Sequence, residues 1–292
     1  MTIEALRCFC AVFEEGSFRA AARRLHRSQP AVSQQVKTLE DELGQRLLDR
    51  RRATLTPAGQ LLYDRARRIL RDVSNVEREM AAFSGQPDAE LRLGASDTVA
   101  LYVLPEHVKT FTSKQPETRL VIVNRPTDAL CELVERRELD LAVVTLPAPS
   151  GDFESRPLFR QRLVVVVPRS HALRRLRRVE LADLADEPFL LLEPTTRTGR
   201  LIREHFRHAG FEPAVAMDSG SFEVIKRYVA QGVGVSVLPE TVITERDDDL
   251  AALRSPSLPE VAIGAIWRPD AYHPRSARLF LELLASGAQD QA

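Results

Sequence analysis

The sequence predicts an α+β multidomain chain, in which a small helical head precedes a long helix and a larger α/β body. Two observations predict this division. Up to about residue 83 the apolar residues recur three and four positions apart, as they do on one face of a helix. From Leu91 onward, short apolar runs suited to buried strands alternate with helical segments. A chain of 292 residues, 44% of them hydrophobic, is long enough for two domains with separate cores.

The residues from Ser17 to Leu43 predict two helices joined by a tight turn, which is a helix-turn-helix. Ser28 can cap the second helix, Pro30 is tolerated in its first turn, and Gly44 stands where a left-handed residue ends a helix. The apolar stripe of this helix consists of Val32, Val36, Leu39 and Leu43. The opposite face is polar, and an ordinary helical hairpin with a solvated face is the alternative interpretation.

That polar face indicates DNA recognition. A glutamine offers the paired donor and acceptor that match an adenine edge, whereas lysine and serine can bind phosphates or a base. Lysine plus arginine equals aspartate plus glutamate over the whole chain, at 41 each, but nine basic and four acidic residues lie between Arg19 and Arg52. The residues that we expect at the DNA are Arg27, Ser28, Gln29, Pro30, Ser33, Gln34, Lys37, Arg51, Arg52 and Thr56.

Residues 45–56 predict a two-stranded wing, because two short apolar segments flank an arginine-rich tip. Arg51 and Arg52 would reach phosphates or a narrow minor groove from that tip, although three adjacent arginines on a hairpin are also compatible with simple solvation.

Thr56 and Pro57 then begin a helix of about 26 residues. Its apolar residues alternate four and three positions apart, the heptad spacing of a helix that pairs with a partner. We predict dimerisation through this stripe because the helix is too long for a small head to cover; docking on its own domain is the alternative. The stripe residues assigned to the dimer are Leu62, Ile69, Val73, Val76 and Met80. Residues 84–88 have the composition of a hinge.

In the body, hydroxyl side chains stand repeatedly where a strand ends or a helix begins. Ligands of such sheets bind at the carboxyl ends of the strands, where helix N-termini also point their free amides. A cleft that is rimmed by hydroxyls and contains few fixed acids favours a small anion, with Arg197 as countercharge or as a solvent-facing side chain. Each hydroxyl taken alone is more simply a helix cap. The residues predicted to bind this anion, as a small-molecule effector, are Ser96, Thr98, Thr127, Thr145, Thr196 and Thr198.

Other classes of function find little support in the sequence. The six histidines are scattered, and no metal cluster, nucleotide-binding glycine loop or nucleophile with a base is evident, so we expect neither an enzyme nor a resident cofactor or metal. Cys8, Cys10 and Cys131 are predicted to be buried thiols, with a redox-sensing pair as the alternative. Without a leader segment or a long apolar run, we expect a cytoplasmic protein with no membrane partner.

Several motifs make the chain similar to LysR-type transcriptional regulators over essentially its whole length. In the head these motifs are Gly16-Ser17-Phe18, Ala21-Ala22, Ser28-Gln29-Pro30-Ala31-Val32-Ser33 and Leu55-Thr56-Pro57-Ala58-Gly59. In the body they are Leu93-Gly94-Ala95-Ser96, Glu138-Leu139-Asp140-Leu141-Ala142 and the run from Val229 to Pro239. The head motifs are highly specific, whereas the body motifs are looser but occur in the right order.

The resemblance implies a winged helix-turn-helix (residues 1–58), a linker and dimerisation helix with its hinge (59–88) and a two-lobed effector-binding domain like a periplasmic binding protein (89–292). The first lobe would comprise residues 91–161 and 268–284, and the second lobe residues 162–267. It also implies promoter DNA, a small-molecule effector between the lobes, a homodimer or homotetramer, and RNA polymerase as a candidate partner. Gln34 stands where the family often has arginine, and Leu48 where phenylalanine is common.

Three functions are therefore compatible with the sequence. The first is a sequence-specific transcriptional regulator whose DNA binding or bending responds to a small, anionic metabolite. The second is an enzyme or carrier that uses the same two-lobed body. The third is a nucleoid-type DNA binder without an effector, which would leave the second domain unexplained.

Overall fold

The computed structural model describes residues 1–49, 52–83, 88–269 and 274–287. It confirms the fold class, with a helical N-terminal part and a mixed α/β C-terminal part. The chain forms two compact units, Met1–Gln86 and Pro87–Ala292. We call them the head unit and the effector unit. Within the described residues, no helix combines the length and the apolar character needed to cross a membrane.

Three short helices form the core of the head unit. Side-chain oxygens of Thr2, Ser17 and Ser28 cap their N-termini by accepting from backbone amides three residues later, at 3.1, 3.1 and 3.3 Å. Gly44 ends the third helix with a φ of 62°, the left-handed conformation that a glycine adopts without strain. The helices are α1 (Ile3–Glu14), α2 (Phe18–Arg24) and α3 (Gln29–Leu43).

The predicted wing follows α3 as two short antiparallel strands, β1 (Leu48–Asp49) and β2 (Thr54–Leu55). The buried carboxylate of Glu40, on α3, accepts hydrogen bonds from the amides of Leu47 and Leu48 at 2.9 and 3.3 Å, so the helix fixes the start of the wing. Gly59 lies against the same segment, where a Cβ would stand 2.0 Å from the Leu47 carbonyl oxygen. The wing is therefore anchored at two points of its base.

A long helix, α4 (Pro57–Phe83), completes the head unit. Its first half packs on its own head, because Ala66 is buried there and Leu62 and Ile69 are partly buried against the same core. Farther along, the side chains of Val76 and Met80 are 56% and 60% exposed. The stripe thus divides between the two interpretations: its beginning docks on the head, and its later residues Val76 and Met80 are exposed.

Parallel strands bring the carboxyl ends of β3, β4 and β5 to one edge of the principal sheet in the effector unit. In the described part of the chain this sheet has seven strands, in the order β10-β6-β11-β5-β3-β4, with β9 also paired to β6; β7 and β8 pair separately. The strands are β3 (Glu90–Ala95), β4 (Arg119–Asn124), β5 (Leu141–Thr145), β6 (Glu154–Pro168), β7 (Pro188–Leu192), β8 (Ala214–Ser219), β9 (Ser236–Pro239), β10 (Leu250–Arg254) and β11 (Glu260–Trp267).

Helices pack against these sheets, and several of them begin a few residues after a strand ends. They are α5 (Leu104–Lys114), α6 (Thr127–Glu135), α7 (Arg197–His208), α8 (Phe222–Ala230) and α9 (Arg275–Gly287). A π-helical turn, Val99–Val103, leads from β3 into α5.

The strand β6 belongs to both predicted lobes. Its residues 154–162 pair with β11, and its residues 163–168 pair with β9 and β10. Because β11 also pairs with β5, the segment 260–267 shares a sheet with strands that the sequence interpretation assigned to the first lobe, although that interpretation put the segment itself in the second lobe. β8 and β10 were not expected from the sequence.

Candidate functional site

The first candidate site is the exposed face of α3. Gln29, Gln34 and Lys37 are exposed and Ser33 is half-buried, whereas Val32 lies in the core. At 1.5 Å per residue, Gln29 and Lys37 are separated by about 12 Å along the helix, which is comparable to the width of a major groove. This face carries no acidic side chain before residue 40. The positive end of the helix dipole lies at Gln29, and Lys37 adds a full positive charge.

The remaining residues predicted to bind DNA lie before and after this face in the sequence, and they differ in their exposure and contacts. Arg27, Ser28 and Pro30 are exposed beside the start of α3, and Arg27 forms an ion pair of 3.1 Å with Glu4. Arg52 is exposed in the wing turn, and Arg51 lies outside the described residues.

Thr56 is different, because its hydroxyl is already engaged in the protein. It donates to the Arg46 carbonyl at 2.6 Å and accepts from the Gly59 amide at 3.0 Å. Its hydrogen bonds are thus those of a cap that joins the wing to α4.

The second candidate site is a cavity of about 200 Å³ in the effector unit. The six hydroxyl residues predicted from the sequence all line it: Ser96, Thr98, Thr127, Thr145, Thr196 and Thr198. They converge because β3, β4 and β5 end at the same sheet edge, and because α7 begins opposite that edge. The wall also contains side chains that the sequence interpretation missed, namely Asp97, Asn124, Arg125 and Phe222.

One of these hydroxyls is a helix cap, as the alternative interpretation held. Thr196 Oγ1 accepts from the Gly199 amide at 3.0 Å and donates to the Glu193 carbonyl at 2.8 Å. The hydroxyls of Ser96, Thr98, Thr127, Thr145 and Thr198 make no hydrogen bond to any described part of the chain. Five hydroxyls therefore face the cavity with free hydrogen-bonding capacity.

Two helix N-termini face the cavity as well. Pro126 precedes α6 and provides no side-chain cap, so the first amides of that helix have no capping partner. α7 begins with Arg197, whose side chain lines the cavity and is 19% exposed, so this arginine belongs to the cavity wall. Amide dipoles and a guanidinium thus act on the same space.

A buried lysine, also missed by the sequence interpretation, lies elsewhere in the effector unit. Lys226 is 5% exposed, and its ammonium donates to Asp247 Oδ2 at 3.0 Å, to the Val242 carbonyl at 2.9 Å and to the Tyr102 hydroxyl at 3.2 Å. Burial acts to raise the pKa of Asp247, but hydrogen bonds from Thr244 and Lys226 outweigh it, and the pKa is lowered. This cluster ties the π-helical turn of the first lobe to α8.

The cysteines are free and buried, as predicted. Burial raises the pKa of Cys8 to about 11 and the pKa values of Cys10 and Cys131 to about 12, so all three are held as unreactive thiols. The described residues contain no cluster of three potential metal ligands.

Comparison with known proteins matches both units. A family profile described as "Bacterial regulatory helix-turn-helix protein, lysR family" covers residues 3–60, and one described as "LysR substrate binding domain" covers residues 84–289. The hydrogen peroxide-inducible genes activator of Escherichia coli O6:H1 is 32% identical over 279 residues, which span 92% of this chain and 90% of that protein.

Two solved structures extend this similarity to the full length. A full-length OxyR variant from Pseudomonas aeruginosa has a TM-score of 0.77 at 27% identity, covering 97% of this chain and 94% of that chain. Full-length CbnR in complex with its target DNA has a TM-score of 0.72 at 27% identity, covering 99% and 100%.

Proposed function

The chain belongs to the LysR family of DNA-binding transcriptional regulators, and from this premise we propose that α3 inserts its polar face into the major groove of a specific promoter site. Gln29, Ser33 and Gln34 are assigned to base edges, and Lys37 and Arg52 to phosphates. The observation that carries this proposal is the exposed, acid-free face between residues 29 and 39.

Binding measurements on the DNA next to the protein's own gene test the assignment. Gln34→Ala should lower the preference for the footprinted site over random DNA by about tenfold or more, because it removes a base contact. Lys37→Ala should weaken binding to both DNAs alike and reduce the salt dependence. Gln60→Ala, on the exposed surface of α4, is the matched control. An unchanged preference in Gln34→Ala would contradict the base contact.

We further propose that the protein acts as a homodimer, joined through the part of α4 that carries the exposed side chains of Val76 and Met80, and as a tetramer made of two dimers. Val76 and Met80 support this assembly, since large apolar side chains at heptad spacing favour a helical partner. A two-fold dimer would recognise an interrupted inverted repeat. RNA polymerase is the partner expected at an activated promoter, and the cytoplasm is the expected location.

For the cavity we propose a small anionic metabolite as effector. Its support is the combination of five free hydroxyls with two helix N-termini, which together offer donors and a positive potential. Binding between the lobes would shift the protein between arrangements that differ in DNA affinity or bending.

A thermal-shift screen of the full chain with small organic and inorganic anions tests this proposal. Ser96→Ala and Thr145→Ala should each lower the affinity for an anion found in the screen by about fivefold, which is the effect of one lost hydrogen bond. Thr110→Ala removes a hydroxyl that bonds to the Glu106 carbonyl on exposed α5 and should have no effect. If both cavity variants bind such an anion with unchanged affinity, the effector binds elsewhere.

Redox sensing through a pair of cysteines in the effector unit finds no support in the sequence. After residue 10 the sequence contains one cysteine, Cys131. Burial, followed by the nearby charge of Asp128, raises the pKa of that cysteine to about 12, so it supplies little thiolate and has no second cysteine in the effector unit to pair with.

A further inference from the structure

An ion pair joins the two lobes at the rim of the cavity. Asp128 lies in the first turn of α6, which follows β4 of the first lobe, and Arg197 and Arg200 lie in the first two turns of α7 in the second lobe. Arg200 Nη2 is 2.6 Å from Asp128 Oδ2, and Arg197 Nη2 is 3.8 Å from Asp128 Oδ1. One carboxylate thus faces two guanidinium groups across the cleft.

The two arginines differ in how fully they are engaged. Arg200 Nη1 is also 3.4 and 3.3 Å from the carbonyl oxygens of Pro194 and Thr195, which fix its position. Arg197 makes no hydrogen bond to the described chain, and its Nε is buried without a partner, as is Asp128 Oδ1. Leaving buried donors unpaired is costly, so the Arg197 guanidinium has hydrogen-bonding capacity for an acceptor in the cavity.

The wall of the cavity limits what that group can be. Arg125 and Arg197 are its cations, and Asp97 is its anion, so the lining charge favours one negative charge and opposes a second. Phe222 and Pro126 provide an apolar surface beside the hydroxyls. A cavity of about 200 Å³ admits a compact molecule. These properties fit a small organic acid better than a polyanion.

We propose that the effector is a small organic monocarboxylate whose carboxylate binds Arg197 in competition with Asp128. This inference rests on the proposed effector function of the cavity and specifies its ligand. The Asp128 side chain is 46% exposed, so its pairing with Arg197 is screened and weak, and a ligand carboxylate can replace it. Binding then exchanges an attraction between the lobes for a contact with the ligand, which couples occupancy to the lobe arrangement.

The test uses full-length protein and calorimetry with three probes: benzoate, its neutral counterpart benzamide, and inorganic sulfate. Benzoate should bind at least about tenfold more tightly than benzamide, because a hydrogen bond to a charged group is worth that factor or more. Arg197→Gln should remove this difference. Asp128→Asn should increase the affinity for benzoate by about threefold, since it removes a carboxylate that competes for Arg197 through a weak ion pair.

Two variants on the same helices serve as controls. Glu132→Gln removes one negative charge a turn farther along α6, and Arg207→Gln removes one positive charge from the exposed surface of α7. Both should bind benzoate like the unchanged protein. Circular dichroism and the urea midpoint of each variant establish that it is folded.

Several results would overturn the proposal: equal binding of benzoate and benzamide, undiminished benzoate binding by Arg197→Gln, binding of sulfate alone, or no binding of benzoate even by Asp128→Asn. Failure of this inference is distinct from failure of the effector site. If Thr145→Ala loses a ligand that Arg197→Gln retains, the cavity stands and the monocarboxylate assignment falls.

Discussion

The buried carboxylate of Glu40 offers a quantitative test of how the wing is held. It is 8% exposed and receives the amides of Leu47 and Leu48, which are themselves buried. Glu40→Ala leaves two buried amide donors unpaired, and each unpaired donor costs about 1 to 3 kcal/mol. We therefore expect the free energy of local opening at the base of the wing to fall by about 3 kcal/mol. Glu40→Gln retains one acceptor oxygen and should cost about 1 kcal/mol.

Amide hydrogen exchange is the appropriate measurement, because a chain of two units does not unfold as a single two-state system. Protection of the Leu47 and Leu48 amides should fall by about a hundredfold in Glu40→Ala, and DNA affinity should fall with it because the wing loses its position. Glu42 is exposed on the same helix, so Glu42→Ala should change the local stability by no more than about 0.5 kcal/mol relative to the unchanged protein. Unchanged protection of both amides in Glu40→Ala would refute the proposed anchor.

Four further predictions concern the proposed dimer, the buried lysine, the acid dependence of its partner Asp247 and the packing of α4. Val76→Asp together with Met80→Asp should convert the oligomer to a smaller species in sedimentation without unfolding the head; an unchanged mass would exclude this end of the stripe from the interface. Lys226→Met should destabilise the effector unit by about 3 kcal/mol in amide hydrogen exchange, because it leaves the largely buried carboxylate of Asp247 without its cation. In the unchanged protein the lowered pKa of Asp247 stabilises the fold above about pH 4, and this stabilisation is lost as the pH falls through that lowered value; a urea midpoint insensitive to acid in this range would contradict it. Gly59→Ala should destabilise the head by about 2 kcal/mol or more, since the new Cβ meets backbone, and unaltered head hydrogen exchange would show that the clash relaxes.

Local signals allowed much of the head to be predicted. Ser28 and Gly44 mark the ends of α3 through their own side-chain and backbone chemistry, and both occur as expected. Glu40 was missed although it follows Val36 by four residues and so extends the buried stripe of α3. An acidic residue on an apolar stripe is a signal for a buried acceptor.

In the effector unit, the predictable part of the cavity was its hydroxyls, which follow strands that the apolar runs reveal. β8 escaped prediction because most of its side chains are exposed and its apolar alternation is weak. The membership of β11 in the first lobe depends on pairing with β5, more than a hundred residues earlier. Such pairing leaves no trace in local composition. Lys226 resembled a surface lysine, yet it lies one turn after Phe222 on the buried stripe of α8.

The insertion of β11 between β5 and β6 has a consequence for biosynthesis. The core of the head unit includes Tyr63, Ala66 and Leu70 of α4, so it is complete once residue 70 has been added, and helical cores fold far faster than a ribosome elongates. The first lobe stays incomplete until residue 267 has been added, which is roughly 10 to 40 s later at ordinary elongation rates. A nascent chain therefore has a finished helix-turn-helix well before it has a cavity, and synthesis must pass residue 267 before the effector unit can bind a metabolite.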